Sequence, residues 1–328
     1  MTTRVLLVGA GGVGRRHAEV LSGFDGVEVT GVVDPVPGAA EALAAGLGAP
    51  TYADVEDALD SDCPDAVYVC VPPFAHGAPE RAALDRGLPI FVEKPVGLDL
   101  SVAEDIGRRV EKAGVVTGTG YHWRCLDVLP RARALLADRP AVSAAGYWLD
   151  KRPPVAWWAL GDRSGGQIVE QLTHVLDLAR ALLGEAEEVY AAGARLSPAP
   201  APGWGDIDDA TAATVRFASG AVATFAATSL LVAKHRAALH TFSHGLALEV
   251  TETGLAVHNG VGRQEYPAGE DPRVTVDREF VEAVRGQRAS TRTPYLDALE
   301  SHRLACALAQ SAREGQAIRL GPGSAAVE

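Results

Sequence analysis

The chain has 328 residues, more than one hydrophobic core normally serves, which points to two domains. Its 47% hydrophobic and 22% charged residues are those of a globular protein, and a net charge of −12 argues against nucleic acid or an anionic membrane as the main partner. Four cysteines, Cys63, Cys70, Cys125 and Cys306, form neither a CxxC pair nor a disulfide-dense pattern, so a reducing, cytoplasmic setting is expected.

The opening MTTRVLLVGAGG enters a short apolar stretch and stops at glycines, which reads as a first strand at 4–9 rather than a signal peptide. Short β-branched runs then alternate with helical stretches. Strands are predicted at 27–33, 66–71, 89–92 and 115–119, and helices at 13–22, 38–47, 54–60, 77–86 and 101–113, the last opened by a Ser101/Glu104 capping box. Regular β-α alternation implies a parallel sheet wrapped by helices. After about Tyr121 the rhythm changes. A helix at 126–137, a strand at 142–150 and a helix at 165–184 precede β stretches at 187–196, 210–218, 221–230, 236–243 and 246–258, with a hairpin signal at Ser219-Gly220. Helices at 275–286 and 294–314 close the chain. The expected division is a nucleotide-fold domain over 1–120 and a strand-rich α+β domain over 121–328. The Pro- and Ala-biased segment 197–206 reads as a stiff surface loop, and the longest weakly polar run, 220–233, is too short to cross a bilayer.

Gly9, Gly11 and Gly14 form G-A-G-G-V-G. With 35 glycines in 328 residues about 0.4 such matches arise by chance, so position must carry the inference. The motif follows the first strand and opens a helix, where the amides of Gly9 to Gly14, including Gly12 and Val13, can receive a pyrophosphate. Asp34 ends the second strand twenty residues after Gly14, where a carboxylate accepts hydrogen bonds from adenosine ribose hydroxyls. Pro35-Val36-Pro37 offers no arginine for a 2′-phosphate, which favours NAD over NADP. Glu93-Lys94-Pro95 follows the strand at 89–92, at the edge where open α/β sheets bind ligands. Lysine is scarce, with Lys94, Lys112, Lys151 and Lys234 set against 26 arginines, so a lysine at a strand's carboxyl end suggests a required compact ammonium; chance placement is the alternative. Within 165–184, Glu170, His174 and Asp177 fall at i, i+4 and i+7 on one face, beside Ile168, Val169, Leu172, Val175, Leu176 and Leu178. A solvated stripe or a satisfied core histidine is the bland alternative.

In order, GxGxxGxxH (Gly9 to His17), VPPFAH (71–76), EKP (93–95), a Gly-Gly pair, and a helix with a carboxylate, histidine and aspartate at 170, 174 and 177 resemble the glucose–fructose oxidoreductase / inositol dehydrogenase / MocA family. The likeness extends to the SGAVATF hairpin and a terminal helix ending EGQAIRL. The resemblance implies an N-terminal Rossmann doubly wound parallel sheet and a C-terminal α+β domain built on a large open, mostly antiparallel sheet. It further implies NAD(P)-dependent redox chemistry on a sugar, cyclitol or related polyol. Carried over residue by residue, it puts the active-site lysine on Lys94, the catalytic histidine on His174, and cofactor contacts on Val71, Pro72, His76, Glu93 and Lys94. The position four before the histidine, often Asp in inositol dehydrogenases, is Glu170 here.

Oxidising a secondary alcohol needs a group that removes the hydroxyl proton as hydride leaves the same carbon. His174 is assigned that work, with Glu170 as its electrostatic partner and Lys94 as a donor to the reacting oxygen. Expected substrate contacts are Lys94, Tyr121, Arg124, Trp158, His174 and Asp177. Tyr121 and Arg124 read equally as a structural hinge, Trp157 and Trp158 as core, and Asp177 as a structural hydrogen-bonding group. His17 and His76 are expected to support the cofactor loops. No metal is expected, because His235, His240 and His244 do not share one strand face and lack a completing Cys or carboxylate cluster. The expected partners are a small sugar or polyol and further copies of the chain, as dimer or tetramer, with no nucleic acid and no membrane. Two other classes stand beside the dehydrogenase: an NAD-dependent glycosidase using transient oxidation, and a non-catalytic dinucleotide-sensing regulator.

Overall fold

The computed structural model describes residues 2–61, 63–195 and 205–321, so all but the end of the segment 197–206 lies outside the described residues. The chain forms two compact units, residues 1–122 with 273–299, and residues 123–272 with 300–328.

In the first unit, β1 (Thr3–Val8), β2 (Val27–Val33), β3 (Thr51–Tyr52), β4 (Ala66–Val69), β5 (Ile90–Val92) and β6 (Thr117–Thr119) make a parallel sheet in the order β3-β2-β1-β4-β5-β6. Val5, Leu6, Leu7, Val67, Val69, Ile90 and Val92 are buried, because helices cover both faces of such a sheet and its strands are therefore continuously apolar. β3 is two residues long and leaves no pattern to read. The capping box does not open its helix. Leu100–Ala113 starts one residue earlier with Asp99 in the cap position, which puts Ser101 inside the first turn.

The outer edge of β6 is closed by a segment from the far end of the chain. The hydroxyl of Thr119 donates to the Thr293 carbonyl and that of Thr293 to the Thr119 carbonyl, both at 3.0 Å. Thr291 Oγ1 donates to Thr117 O at 2.8 Å, and Tyr295 N to Thr117 Oγ1 at 3.0 Å. Threonine hydroxyls thus do at this edge what the amides of a further strand would do.

The second unit holds a nine-stranded sheet in the order β14-β13-β12-β11-β7-β10-β9-β8-β15. Its strands are β7 (Ser143–Lys151), β8 (Ala186–Ala194), β9 (Ala210–Phe217), β10 (Val222–Leu231), β11 (Arg236–Ser243), β12 (Leu246–Thr251), β13 (Gly254–Asn259), β14 (Gly262–Pro267) and β15 (Ile318–Arg319). Only the β7–β10 pair is parallel among the described pairs of this sheet. Ala213, Val215 and Phe217 are buried while Thr214 and Arg216 are exposed, the alternation of a sheet with one face on a core and one open. The covered face packs under Trp123, Leu129, Val175, Leu178 and Leu308. The predicted strand at 246–258 is two strands, β12 and β13, because the chain reverses between Thr251 and Gly254. β14 escaped prediction since it is almost wholly exposed and polar.

The Ser219-Gly220 hairpin joins β9 to β10, with Gly220 at φ 86°. The helical run expected at 165–184 contains a π turn at Ile168–Leu172 before the regular helix Thr173–Leu183. Cys63, Cys70, Cys125 and Cys306 form no disulfide, and among the described residues no helix is long and apolar enough to cross a membrane.

Replacing Thr293 with Val removes the donor to the buried Thr119 carbonyl and should lower stability by about 1–3 kcal/mol. Urea unfolding should show a lower midpoint at an unchanged slope; an unaltered midpoint would show that the hydroxyl ladder does not hold this edge.

Candidate active site

The carboxyl ends of β1, β2, β4 and β5 lead directly into Gly9–Gly14, Asp34, Val71–His76 and Glu93-Lys94. Gly9 sits at φ 101°, where a Cβ would also stand 2.3 Å from the Cys70 carbonyl oxygen. A Cβ on Gly14 would stand 1.9 Å from Gly9 O, so the helix Gly12–Ser22 can approach its own loop only with glycine there. Gly11 and Gly12 differ: no heavy atom lies within 4 Å of where their Cβ atoms would be, and Gly11 caps the helix without a side chain. The first helical amides are therefore left for an anion. Asp34 accepts from Ala10 N at 2.8 Å through one oxygen and from Val36 N at 2.9 Å through the other. Each oxygen keeps a lone pair for a ribose hydroxyl. These residues fit a dinucleotide. The loop after β4 is braced from beneath, because Glu80 accepts from Gly77 N at 2.6 Å and lies 2.5 Å from His76 Nδ1.

Glu93 does not stand free at the strand end. It is buried, with Oε1 2.8 Å from Arg16 Nη2 and 2.9 Å from His17 Nε2, and Oε2 accepting from the Lys94 amide at 2.9 Å. His17 Nδ1 meets both carboxylate oxygens of Asp277, at 2.8 and 2.9 Å. With carboxylates at both ring nitrogens, His17 is an imidazolium. Burial pulls its pKa down, but the charge and hydrogen bond of Asp277, then those of Glu93, outweigh this and lift it to about 9. Burial pushes Glu93 up; the His17 hydrogen bond and the Arg16 charge reverse that and hold it well below the carboxylate range. Asp277 is raised by burial, against the opposing pull of His17. The Lys94-Pro95 peptide is cis.

In the second unit, Gly146 of β7 lets the His174 helix lie close to the sheet, since a Cβ there would stand 2.8 Å from Val175 Cγ1. His174 is 5% exposed, its ring near-parallel to the indoles of Trp148 (5.5 Å, 24°) and Trp123 (6.4 Å, 18°). Lys234 Nζ lies 4.8 Å from the Trp148 ring and 2.7 Å from Glu252. Glu170 falls in the π turn, where the extra residue per turn means that an i, i+4 argument toward His174 no longer applies directly. Its carboxylate accepts from Trp158 Nε1 at 2.7 Å. Trp158 is fully buried. Arg124 and Asp177 are brought together: two parallel 2.8 Å hydrogen bonds join them, and Ser301 Oγ adds a third to Asp177 at 2.5 Å. Tyr121 belongs to the first unit and is packed at 1% exposure in its apolar cluster.

Sequence reading missed Asp277, Ser301, Trp123 and Trp148. Asp277 did leave a signal: it interrupts the buried run Val276, Phe280, Val281 of its helix, and a charge on an apolar face needs a partner. Among the described residues no group of three His, Cys, Asp or Glu side chains converges as a metal site; His240 lies instead 2.8 Å from Arg236 Nη2.

A glycine loop, a carboxylate at the end of β2 and the strand order of the first sheet define a Rossmann-type dinucleotide-binding protein, here with an appended α+β unit. Residues 3–121 match the oxidoreductase family with an NAD-binding Rossmann fold, and residues 141–250 match the GFO/IDH/MocA C-terminal domain. The chain belongs to the GFO/IDH/MocA oxidoreductase family. It is similar to the 2,7-anhydro-N-acetylneuraminate hydratase of Mediterraneibacter gnavus, at 24% identity over 54% of this chain and 48% of the relative. It is also similar to the scyllo-inositol 2-dehydrogenase (NAD(+)) of Bacillus subtilis, at 29% identity over 53% of this chain and 52% of the relative. The matched stretch spans about half the length of these curated relatives. Levoglucosan dehydrogenase, solved with NADH and levoglucosan, shares the fold, with a TM-score of 0.86 at 19% identity over 97% of this chain and 99% of that one.

A histidine whose pKa is raised from 6.5 to about 9 on folding contributes stability that is fully present below the unfolded value and lost as pH rises through the folded one. The contribution is on the order of 3 kcal/mol at its fullest. The thermal midpoint should therefore fall between about pH 6.5 and pH 9.5, and His17→Gln should start lower and lack that part of the fall. Parallel pH profiles for the two proteins would remove the imidazolium from the account.

Proposed function

We propose that the chain is an NAD-dependent dehydrogenase/reductase acting on a CH–OH group of a sugar, cyclitol or related polyol. The observation that carries this is the gathering of Gly9–Gly14, Asp34 and Glu93-Lys94 at the carboxyl ends of strands in one parallel sheet. Bound NAD supplies the acceptor for the hydride. Gly11, Gly12 and Val13 would offer amides to its pyrophosphate, and Asp34 would accept from its adenosine ribose. His174 takes the hydroxyl proton on an imidazole nitrogen as the carbon loses hydride, so the alcohol leaves as a ketone. The indoles of Trp123 and Trp148 lie near-parallel to the imidazole and hold its plane. Lys94 Nζ donates to the reacting oxygen and stabilises the negative charge that develops there. Glu170 adds negative charge on the His174 side, its carboxylate oriented by Trp158. Arg124 and Asp177 secure the turn Trp123 occupies to the His174 helix rather than contacting substrate.

A redox-neutral variant, in which transient oxidation precedes elimination or hydration, is supported by the likeness to a hydratase. It would leave total NADH unchanged while consuming substrate. A reducing cytoplasm is supported by four cysteines that form no disulfide.

A screen of sugars, inositols and amino sugars should give NADH-linked absorbance change with at least one substrate, and a higher kcat/KM with NAD than with NADP, because the Asp34 charge repels a 2′-phosphate. With that substrate His174→Ala should lower kcat by roughly 10²–10⁴-fold, and Lys94→Ala comparably, each with nearly unchanged NAD affinity. Full turnover in either variant would remove that residue from the chemistry, and preference for NADP would remove Asp34 from cofactor choice.

Self-association through the open face of the nine-stranded sheet belongs to the same proposal. Tyr190, Val222 and Phe242 are 49%, 38% and 41% exposed and lie on that face by strand register. Sedimentation should give a dimer or tetramer that Phe242→Glu weakens; a monomer at micromolar concentration would refute it.

A further inference from the structure

The cluster beneath the glycine loop forms an unbroken chain. Asp277 presents both oxygens to His17 Nδ1 at 2.8 and 2.9 Å, His17 Nε2 meets Glu93 Oε1 at 2.9 Å, and Glu93 Oε2 accepts from the backbone amide of Lys94 at 2.9 Å. Asp277, His17 and Glu93 are 1%, 0% and 5% exposed, so water does not compete for these bonds. Glu93 also has no room to turn away: its carboxylate fills the space over Gly120, where a Cβ would stand 2.2 Å from Oε2. We propose that His17 and Asp277 are positioning residues for Lys94, locking the Glu93 carboxylate and, through it, the peptide from which the Lys94 side chain departs. The functional weight of this inference rests on the reading of Lys94 as the group that contacts the reacting oxygen.

Charge makes the lock conditional. The groups facing His17 are Asp277 from the returning helix, Glu93 from the end of β5, Arg16 from its own helix at 3.2 Å, and the rings of Tyr68 and Phe91 at 5.5 and 5.1 Å from β4 and β5. As an imidazolium, His17 donates to both carboxylates. Once deprotonated it has one N–H for two acceptors, so one carboxylate loses its donor and the two negative groups face each other through a neutral ring.

The chain has four lysines, so a [15N]lysine-labelled protein gives four side-chain-independent amide signals, with that of Lys94 identified by its loss in Lys94→Arg. In the NAD complex, His17→Gln and Asp277→Asn should each move the Lys94 amide and quicken its hydrogen exchange roughly tenfold, leaving Lys112, Lys151 and Lys234 in place. With the best polyol of the screen, kcat should fall by up to about 10²-fold while KM for NAD changes little. In the wild-type protein the Lys94 amide should titrate with a midpoint at the His17 pKa of about 9. That titration should vanish in His17→Gln and move to lower pH in Asp277→Asn, which loses the carboxylate that raises His17. The wild-type titration decides the matter even if a variant fails to fold. A Lys94 amide unmoved in folded variants, or a wild-type titration that persists in His17→Gln, overturns the inference. If Lys94→Ala keeps full turnover, the catalytic reading of Lys94 fails, and the amide signals still decide whether the cluster holds its backbone.

Discussion

A single buried carboxylate ties the ligand-facing edge of the first unit together. Glu93 accepts hydrogen bonds from the helix that follows the glycine loop, through Arg16 and His17, and from the peptide of its own neighbour, Lys94. A carboxylate in so dry a place is tolerable only because its charge is opposed at once by an imidazolium and a guanidinium. That requirement explains residue choices which otherwise look unrelated: glycine at 120 to make room, histidine at 17 to donate in two directions, and aspartate at 277 to balance the second donation. The glycine loop, the lysine strand end and the returning helix are therefore not separate features joined by proximity. They share one charge balance.

The second unit solves a different problem. No strand end delivers His174; a helix face does, pressed on a sheet that thins to glycine at residue 146 to receive it. The ring lies against the indoles of Trp123 and Trp148, themselves 6.0 Å apart, and the helix is fastened one turn later by the Arg124–Asp177–Ser301 network. Paired and hydrogen-bonded, these buried charges are costly to break singly, which favours one rotation of the helix over its neighbours. The π turn spends an extra residue just before His174, at the place where Glu170 turns toward the Trp158 indole. Such turns are frequent at functional sites because they aim side chains that a regular helix would stack in register.

Features whose physics is local were legible in the sequence. The glycine turn, Asp34 at the end of its strand, the EKP tripeptide and the alternation of a one-sided sheet depend on residues within a few positions of one another. Features that depend on who meets whom were not. Arg124 and Asp177 are 53 positions apart, and neither reveals that its partner is the other. The threonines at 291 and 293 read as loop residues, yet their hydroxyls seal a sheet edge. The π turn leaves the spacing of Glu170 and His174 unchanged on paper while altering what that spacing means in space. Asp277 lay between: its charge on an apolar helix face announces a partner without naming it.

The return of residues 273–299 to the first unit gives synthesis a direction. His17 and its partner Asp277 are 260 residues apart, so at ribosomal speeds of about 5–20 residues per second the helix following the glycine loop waits tens of seconds for its counter-charge. During that interval residues 123–272 of the strand-rich unit emerge, while the six strands of the parallel sheet are already made but lack the segment that closes their outer edge. The nascent nucleotide-binding unit is left with an open β6 edge and an unbalanced carboxylate, surfaces that chaperones recognise and that non-native strands can extend. The charge balance around Glu93 and the closure of the β6 edge are consequently late events in the life of each chain, completed by its last sixth rather than by the segment that carries the glycine motif.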